Sequence, residues 1–394
     1  MSLPGPPEGP GPGSPASLRG ANQRRIVEAL KEQGQLTQAE LARQTGLAAS
    51  TVSNIVAQLR RAGIVAAQDG PAGRRGQLVR FVASAGVVAG IDVAHDQLRV
   101  ALADLAHTVL AEHVEPLQPD HRCQDVLARA QELIADLCQR AGIGASALRT
   151  AGLAVPAPIS PDGALVSAPT VLPGWAECDL REAAGAALGV PVVVDNDANL
   201  GALAEHRWGA GREIDHLAYV TLGHGVGAGL ILDGQLYHGA RGVVGEIGHV
   251  SIDPAGPFCG CGNRGCLTGY VSATTLPAQL GNSRPALTTA ADVIAAAQHG
   301  DPACRRVLSD VGRLVGAAIA PLVALLDPAL VIIGGTLATA GELLVQPLRQ
   351  GLAERVIPTD AVAVECAALG PRAHVLGAVA VAIDRTILPL HPTG

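Results

Sequence analysis

From Val87 onward the chain reads as short, mostly apolar runs closed by Gly- or Asp-bearing turns and separated by helical stretches. The first series is VVAGIDV, LRVALADL, a helix over Cys123–Arg140, TAGLAVPAP and PVVVDND; the second is HLAYVTLGHGVGAGLIL and ALVIIGG. Strands apolar on both faces must be covered on both faces, so this alternation demands helices layered over sheet. Two such series, each with Gly-rich turns at strand ends, predict two α/β lobes with a cleft between them. Aromatics are only 2% of the 394 residues, against 48% hydrophobic and 16% charged. The cores must therefore be built from Ala, Val and Leu.

Ahead of the lobes the pattern differs. Residues 1–18 are rich in Pro and Gly with almost no apolar content, and are expected to form a flexible tail. Residues 19–83 read as a domain of short helices. Ile26, Val27, Ala29 and Leu30 mark one face of a first helix, stopped by Gly34. Thr37 with Glu40 three residues on is a capping box that opens a second helix, broken at Gly46. A third helix runs from about Ala49 to Ala62 with Val52, Ile55, Val56 and Leu59 inward, and IVAAQDGPAGRRGQLVRF then reads as strand, turn and strand. That order is a winged helix-turn-helix, whose third helix enters the major groove. Ser50, Thr51, Ser53 and Asn54 are the residues placed to meet base edges, with the wing-tip Arg74 and Arg75 on phosphate or minor groove. A bare packing or dimerisation module is the alternative; it explains the helices but not the polar stretch or the basic hairpin tip.

Charge agrees with this division. Residues 1–85 carry ten Lys and Arg against five Asp and Glu, net +5, while the remainder is net −12. A basic head on an acidic body is what a phosphate backbone would attract at one end only. The start has neither a basic nor an apolar signal-peptide region, and the longest apolar run, Leu314 to Leu326, is short for a membrane span. A cytoplasmic protein with no membrane partner is expected. Three of the eight cysteines lie within Cys259–Cys266, a cluster that reads as metal binding rather than a disulfide framework.

The segments VVVDNDANLGALAE, YVTLGHGVGAGLILDGQLYHGARGVVGEIGHV and FCGCGNRGCL, in this order, closely resemble the ROK family of bacterial repressors, open reading frames and sugar kinases. The resemblance covers residues 86–394, and the head fits the branch that includes xylose and N-acetylglucosamine repressors. It implies an α/β fold: an N-terminal winged helix-turn-helix followed by a two-lobed, actin-like ATPase body. It also implies a polyol pocket made by Asn196, Asp197, Glu246 and His249, with Asp197 the base if the chain were a kinase. Sugar hydroxyls both donate and accept, so carboxylates and amides suit them. For Asp197 alone the alternative is a helix cap at a strand end. PTVLPGW, residues 169–175, resembles the segment bordering the sugar site. His249, Cys259, Cys261 and Cys266 would form a closed tetrahedral set for structural Zn²⁺ within 249–266, leaving no open position for metal catalysis; a redox pair in a loop is the alternative.

The departures from the family pattern decide the expected function. Family kinases hold phosphate with Asp-x-Gly-Gly-Thr-Lys; here Asp92 and Val93 are followed by Ala94, His95, Asp96 and Gln97. The second phosphate loop, usually Gly-Thr-Gly, is Gly223, His224, Gly225, and a sugar-contacting Glu of the family is replaced by Thr268. Gly334 and Gly335 resemble the adenosine-side turn or simply shape a strand-to-helix turn. ATP use and catalysis are therefore not expected. The expected protein is a DNA-binding regulator, in all expectation a repressor, that binds an operator as a homodimer or homotetramer and senses a sugar or derivative. An active sugar kinase with an appended head and a ligand-independent global regulator are the alternatives.

Overall fold

The computed structural model describes residues 15–69, 77–82, 85–118, 120–161, 163–165, 172–176, 178–357 and 362–388. Arg74 and Arg75, residues 1–14 and the first three residues of PTVLPGW lie outside this set.

The head comprises α1 (Pro15–Gln33), β1 (Gln35–Thr37), α2 (Gln38–Thr45), α3 (Ala49–Arg61), β2 (Val65–Asp69) and β3 (Gln77–Phe81). The first helix begins inside the stretch expected to be a tail, because Pro15 carries a φ already suited to a helix's first turn. The capping box is made: Thr37 Oγ1 accepts from Glu40 N at 3.2 Å and Thr37 N donates to Glu40 Oε2 at 2.7 Å. Gly46 ends α2 at φ 65°, a left-handed conformation that glycine adopts without strain. Sequence reading did not foresee β1. Its three residues pair antiparallel with β3, Leu36 opposite Val79, giving the sheet order β1-β3-β2.

The body contains β4 (Val87–Val93), β5 (Gln97–Asp104), β6 (Val109–Pro116), α4 (Cys123–Arg140), β7 (Leu148–Val155), α5 (Leu180–Leu188), β8 (Val192–Asn196) and α6 (Asp197–Trp208). It continues with β9 (Leu217–Leu222), β10 (Val226–Leu232), β11 (Gln235–Leu236) and the short helices α7 (Thr268–Val271) and α8 (Leu276–Leu280). The last elements are α9 (Ala290–Gln298), α10 (Pro302–Leu326), β12 (Leu330–Gly334), α11 (Glu342–Ala353), β13 (Ala363–Cys366) and α12 (Ala373–Arg385). The two sheets have orders β6-β5-β4-β7-β8 and β11-β10-β9-β12-β13. Both place their first strand centrally, pair the second and third antiparallel on one side, and add the last two parallel on the other.

Each sheet is covered outside by its own helices: α4 and α5 on the first, α9, α10 and α11 on the second. Between the sheets lie α6 and α12, with Ala198, Ala202 and Ala373 packed against Leu217, Tyr219, Ile231 and Ile332. Contact is close enough to need glycine: a Cβ on Gly377 of α12 would sit 1.9 Å from Leu200 O of α6. Helix α10 is long and apolar enough to span a membrane. In the fold its face bearing Leu308, Val311, Val315 and Ile319 is buried in the second lobe's core.

The head is not a bead on a string. Ile26, Leu30, Leu41, Val52 and Leu59 belong to the same apolar cluster as Val88, Ala101 and Ala103 of the first sheet and Val375, Val379 and Ile383 of α12.

Candidate nucleic-acid interface, metal centre and ligand cleft

On α3 the 3.6-residue period separates two faces cleanly. Val52, Ile55, Val56 and Leu59 are buried, while Ser50, Ser53 and Asn54 are exposed and Thr51 is half-buried. Arg60 and Arg61 continue the exposed face. A polar, partly basic surface therefore stands free of the head's core.

The four expected metal ligands come together. One donor atom from each of His249, Cys259, Cys261 and Cys266 lies within 4.8 Å of the others, and among the described residues no second group of this kind occurs. Cys261 Sγ is 3.6 Å from Cys266 Sγ, and Cys259 Sγ is 3.5 Å from His249 Nδ1. Gly265, at φ 63°, brings its backbone against Asp253, where any Cβ would collide with the Asp253 carbonyl. Three thiols and one imidazole converging this closely form a donor set that fits a tetrahedral metal ion.

The imidazole of His249 also faces the cleft. Its Nδ1 points at the thiols, while Nε2 lies 4.0 Å from Glu246 Oε2. Burial pushes the Glu246 carboxyl up to about 7, helped by the like charge of Asp197. Burial also raises Asp197, opposed by His374. Asp197, Glu246 and His249 thus converge. Asn196 does something else: its Oδ1 accepts from Ala198 N at 2.9 Å and Asn199 N at 3.3 Å, and its Nδ2 donates to Ala157 O at 3.2 Å. Asn196 is the N-cap of α6, and Asp197 Oδ1 also accepts from Ala198 N at 2.7 Å, so both side chains hold the helix's first turn. Thr268 opens α7 half-buried, directly after the candidate ligand Cys266 and Leu267.

Several contacts among the site residues had no signal in the sequence. Asp195, nearly buried, accepts from His238 Nε2 at 2.7 Å and from Asn199 Nδ2 at 2.9 Å, and this hydrogen bond raises His238. Asp92 is buried, its Oδ1 without a hydrogen bond but 3.8 Å from His374 Nδ1, and its carboxyl is pushed up to about 6, first by burial, against the pull of His374. His374 reaches Tyr219 Oη at 3.3 Å. Its place on α12 is far from every motif in sequence. Cys123 and Cys178, 55 residues apart, are joined in a disulfide beside Trp175, whose Nε1 donates to His121 Nδ1 at 3.0 Å. The spacing of these two cysteines matches no motif in the sequence.

At the other side of the cleft, Ala94 N donates to Gln97 O at 2.9 Å, closing a tight turn between β4 and β5 around His95 and Asp96. The turn faces the loop after β9: His95 and His224 rings are 5.4 Å apart, and His224 Nε2 is 3.7 Å from Asp96 Oδ2. Burial, then the neighbouring His224 and His121, lower the His95 pKa. Gly335 makes a turn at φ 80° against Leu222 O, and Gly334 lies against the Tyr219 hydroxyl, so these two glycines shape the strand end.

A winged-helix head fused to a two-lobed α/β body whose lobes share one strand order defines a class of protein. Residues 88–385 match the ROK family model, and residues 20–66 match that of winged helix-turn-helix DNA-binding domains. The chain belongs to the ROK family. It is 29% identical to the xylose repressor of Bacillus subtilis (strain 168), over 93% of this chain and 96% of that one. It is 30% identical to the glucokinase of Thermotoga maritima, over 75% of this chain and 97% of that one. Among solved structures, a ROK family transcriptional regulator, homolog of the E. coli MLC protein, superposes with TM-score 0.76 at 26% identity, covering 93% of this chain and 97% of its own. A ROK glucokinase from Streptomyces griseus in complex with glucose and AMPPNP gives TM-score 0.68 at 27% identity, covering 75% of this chain and 99% of its own.

Proposed function

We propose that this chain is a DNA-binding transcriptional repressor whose kinase-like body senses a sugar and does not phosphorylate it. One observation carries the reading. The repressor and regulator likenesses span head and body together, at 93% of this chain, whereas the glucokinase likenesses span the body alone, at 75%.

The winged helix-turn-helix, residues 19–83, lays α3 in the major groove, where Ser50, Thr51, Ser53 and Asn54 read base edges and Arg74 and Arg75 hold the backbone. Asn suits adenine because its amide both donates and accepts. The body, residues 86–394, binds its ligand through Asp197, Glu246 and His249, with Asn196 setting the first turn of α6. Two carboxylates held close in a half-buried cleft can accept further hydrogen bonds, and sugar hydroxyls supply the donors. Two heads in a homodimer or homotetramer meet two half-sites, so a ligand that changes their spacing releases the operator. A repressor acts where the chromosome is, which puts the protein in the cytoplasm.

The donor set His249, Cys259, Cys261 and Cys266 fits structural Zn²⁺. When bound, the metal would fold the loop that carries it and fix the His249 ring so that Nε2 faces the ligand. Support for the absence of catalysis is the turn His95–Asp96, whose carboxylate and imidazole stand against His224 where family kinases carry Gly-Gly-Thr-Lys and Gly-Thr-Gly.

Asn54→Ala is expected to weaken specific operator binding by about tenfold, on the order of 1–3 kcal/mol per base contact, while leaving sugar affinity unchanged. Fluorescence anisotropy on operator selected in vitro from random DNA checks it. A coupled ADP-release assay over pentoses and hexoses should read background; turnover abolished by Asp197→Asn would instead make the chain a kinase.

A further inference from the structure

The cleft and the head are joined by one rigid piece of structure. Helix α6 starts at Asp197, in the ligand cleft, and ends at Arg207 and Trp208, beneath the head. Its 12 residues span about 18 Å at 1.5 Å per residue. Helix α12 runs alongside, with His374 near its start against Gly201 and Tyr219 and Asp384 near its end at Arg207.

Nothing soft separates these helices from each other or from the sheets. A Cβ on Gly377 would meet Leu200 O at 1.9 Å, one on Gly229 of β10 would meet Ala198 O at 2.3 Å, and one on Gly152 of β7 would meet Ala378 O at 2.0 Å. Backbone packed directly on backbone has no rotamers with which to absorb a displacement, so a shift at one end is carried to the other.

At the head end the contacts close a ring. Arg207 donates twice to the Asp384 carboxylate, at 3.0 and 2.8 Å. The Asp384 carbonyl accepts from Lys31 Nζ of α1 at 3.2 Å. The Lys31 carbonyl accepts from His107 Nε2, and His107 Nδ1 accepts from Trp208 Nε1 at 3.2 Å. An indole nitrogen only donates, so the tautomer is set: His107 carries its proton on Nε2 and gives it to the Lys31 carbonyl. Arg207 and Trp208 are consecutive, so the last turn of α6 holds Lys31, itself 3% exposed, from both sides. Beside this clasp runs a groove of about 1370 Å³ between head and body, bordered by Glu28 and Glu32 of α1 and by His206 of α6.

We propose that α6 and α12 form a strut transmitting ligand occupancy at Asp197 to the DNA-binding head through the ring Arg207–Asp384–Lys31–His107–Trp208. This rests on the sugar-responsive repressor reading. Arg207 and Trp208 are coupling residues: they touch neither ligand nor DNA, and they determine how much one binding event changes the other.

The test uses the full-length protein, operator selected in vitro by the wild type, and D-xylose and D-glucose as probes. In the wild type, one of these sugars should weaken operator affinity at least tenfold. In Arg207→Leu and, more gently, Trp208→Phe (which keeps the ring and removes the donor), that factor should fall below about threefold. Sugar affinity without DNA, and operator affinity without sugar, should each stay within about threefold of wild type. Hydrogen exchange gives a second readout: sugar should change protection in α1 of the wild type and not of the variants. Variants that keep the full tenfold response overturn the strut. Variants that lose operator affinity even without sugar also overturn it, since the ring then merely holds the head in place. A wild type whose operator affinity neither sugar alters defeats the underlying sugar-responsive reading, and the strut with it.

Discussion

The two lobes share one strand order and differ in what they hang from it. In the first, the segment bordering the cleft is anchored by apolar burial: Trp175 is fully buried, Leu172 nearly so, and the Cys123–Cys178 disulfide and the His121–Trp175 hydrogen bond add to a segment already packed. In the second, the loop between β11 and α7 exposes Val250 at 51% and Phe258 at 73%, and four donor side chains converge there. One cleft wall is thus closed by packing, while the other carries a donor set that fits a metal ion, on the same scaffold. Duplicated topology fixes where the walls stand; it does not fix what holds them.

That contrast is open to direct attack. The largest effect should come from Cys266→Ser, or from a strong chelator, because binding at structural zinc sites amounts to about 10–16 kcal/mol in small peptides. Metal content near one per chain in the wild type should be lost, sugar binding should vanish in calorimetry, and α4 with the first sheet should keep its hydrogen-exchange protection. Folded, metal-free protein with normal sugar affinity would erase the distinction between the walls.

Next comes reduction of Cys123–Cys178. A 55-residue separation gives at most about 4 kcal/mol on a chain-entropy estimate. Thermal melts with and without reductant should separate by several degrees while sugar affinity stays within about twofold, since Trp175 remains packed. A large loss of affinity would show that the first wall, too, depends on a cross-link.

A smaller effect concerns Asp92, buried beneath the cleft. Its carboxyl is raised to about 6 from an ordinary value of 3.8, so between those limits the folded state holds the proton more tightly than the unfolded one. Stability from this group is therefore lost as pH rises from about 4 to 6, by about 3 kcal/mol at 1.36 kcal/mol per unit. Asp92→Asn should remove that portion of the pH dependence, measured by urea melts across the range, and leave the protein more stable above pH 6.

What could be read from the sequence was local. Thr37 and Glu40 declare a helix start because the box closes within four residues, and α3 shows its faces through a period of 3.6. Strands such as Val87–Val93, apolar on both faces apart from Asp92, announce burial on both sides. The Cys259–Cys266 cluster is legible because three ligands share one loop, although His249 is tied to it only by the family pattern. The rest depends on contacts between distant segments. His374 meets Asp92 across most of the chain, Cys123 meets Cys178 without a characteristic spacing, and His107 finds Lys31 and Trp208 only because three elements dock. The three-residue β1 is too short to carry a period at all.

Helix α12 has a consequence for how the protein is made. It is the last helix among the described residues, yet it lies between both sheets and shares a core with the head, which is synthesised before it. Neither lobe can bury its inner face, and the head cannot finish docking, until α12 has left the ribosome. At roughly 5–20 residues per second, the nascent head waits for tens of seconds with Ile26, Leu30 and their neighbours lacking the partners they pack against in the finished molecule. The chain is born in reading order but can only be completed from its end.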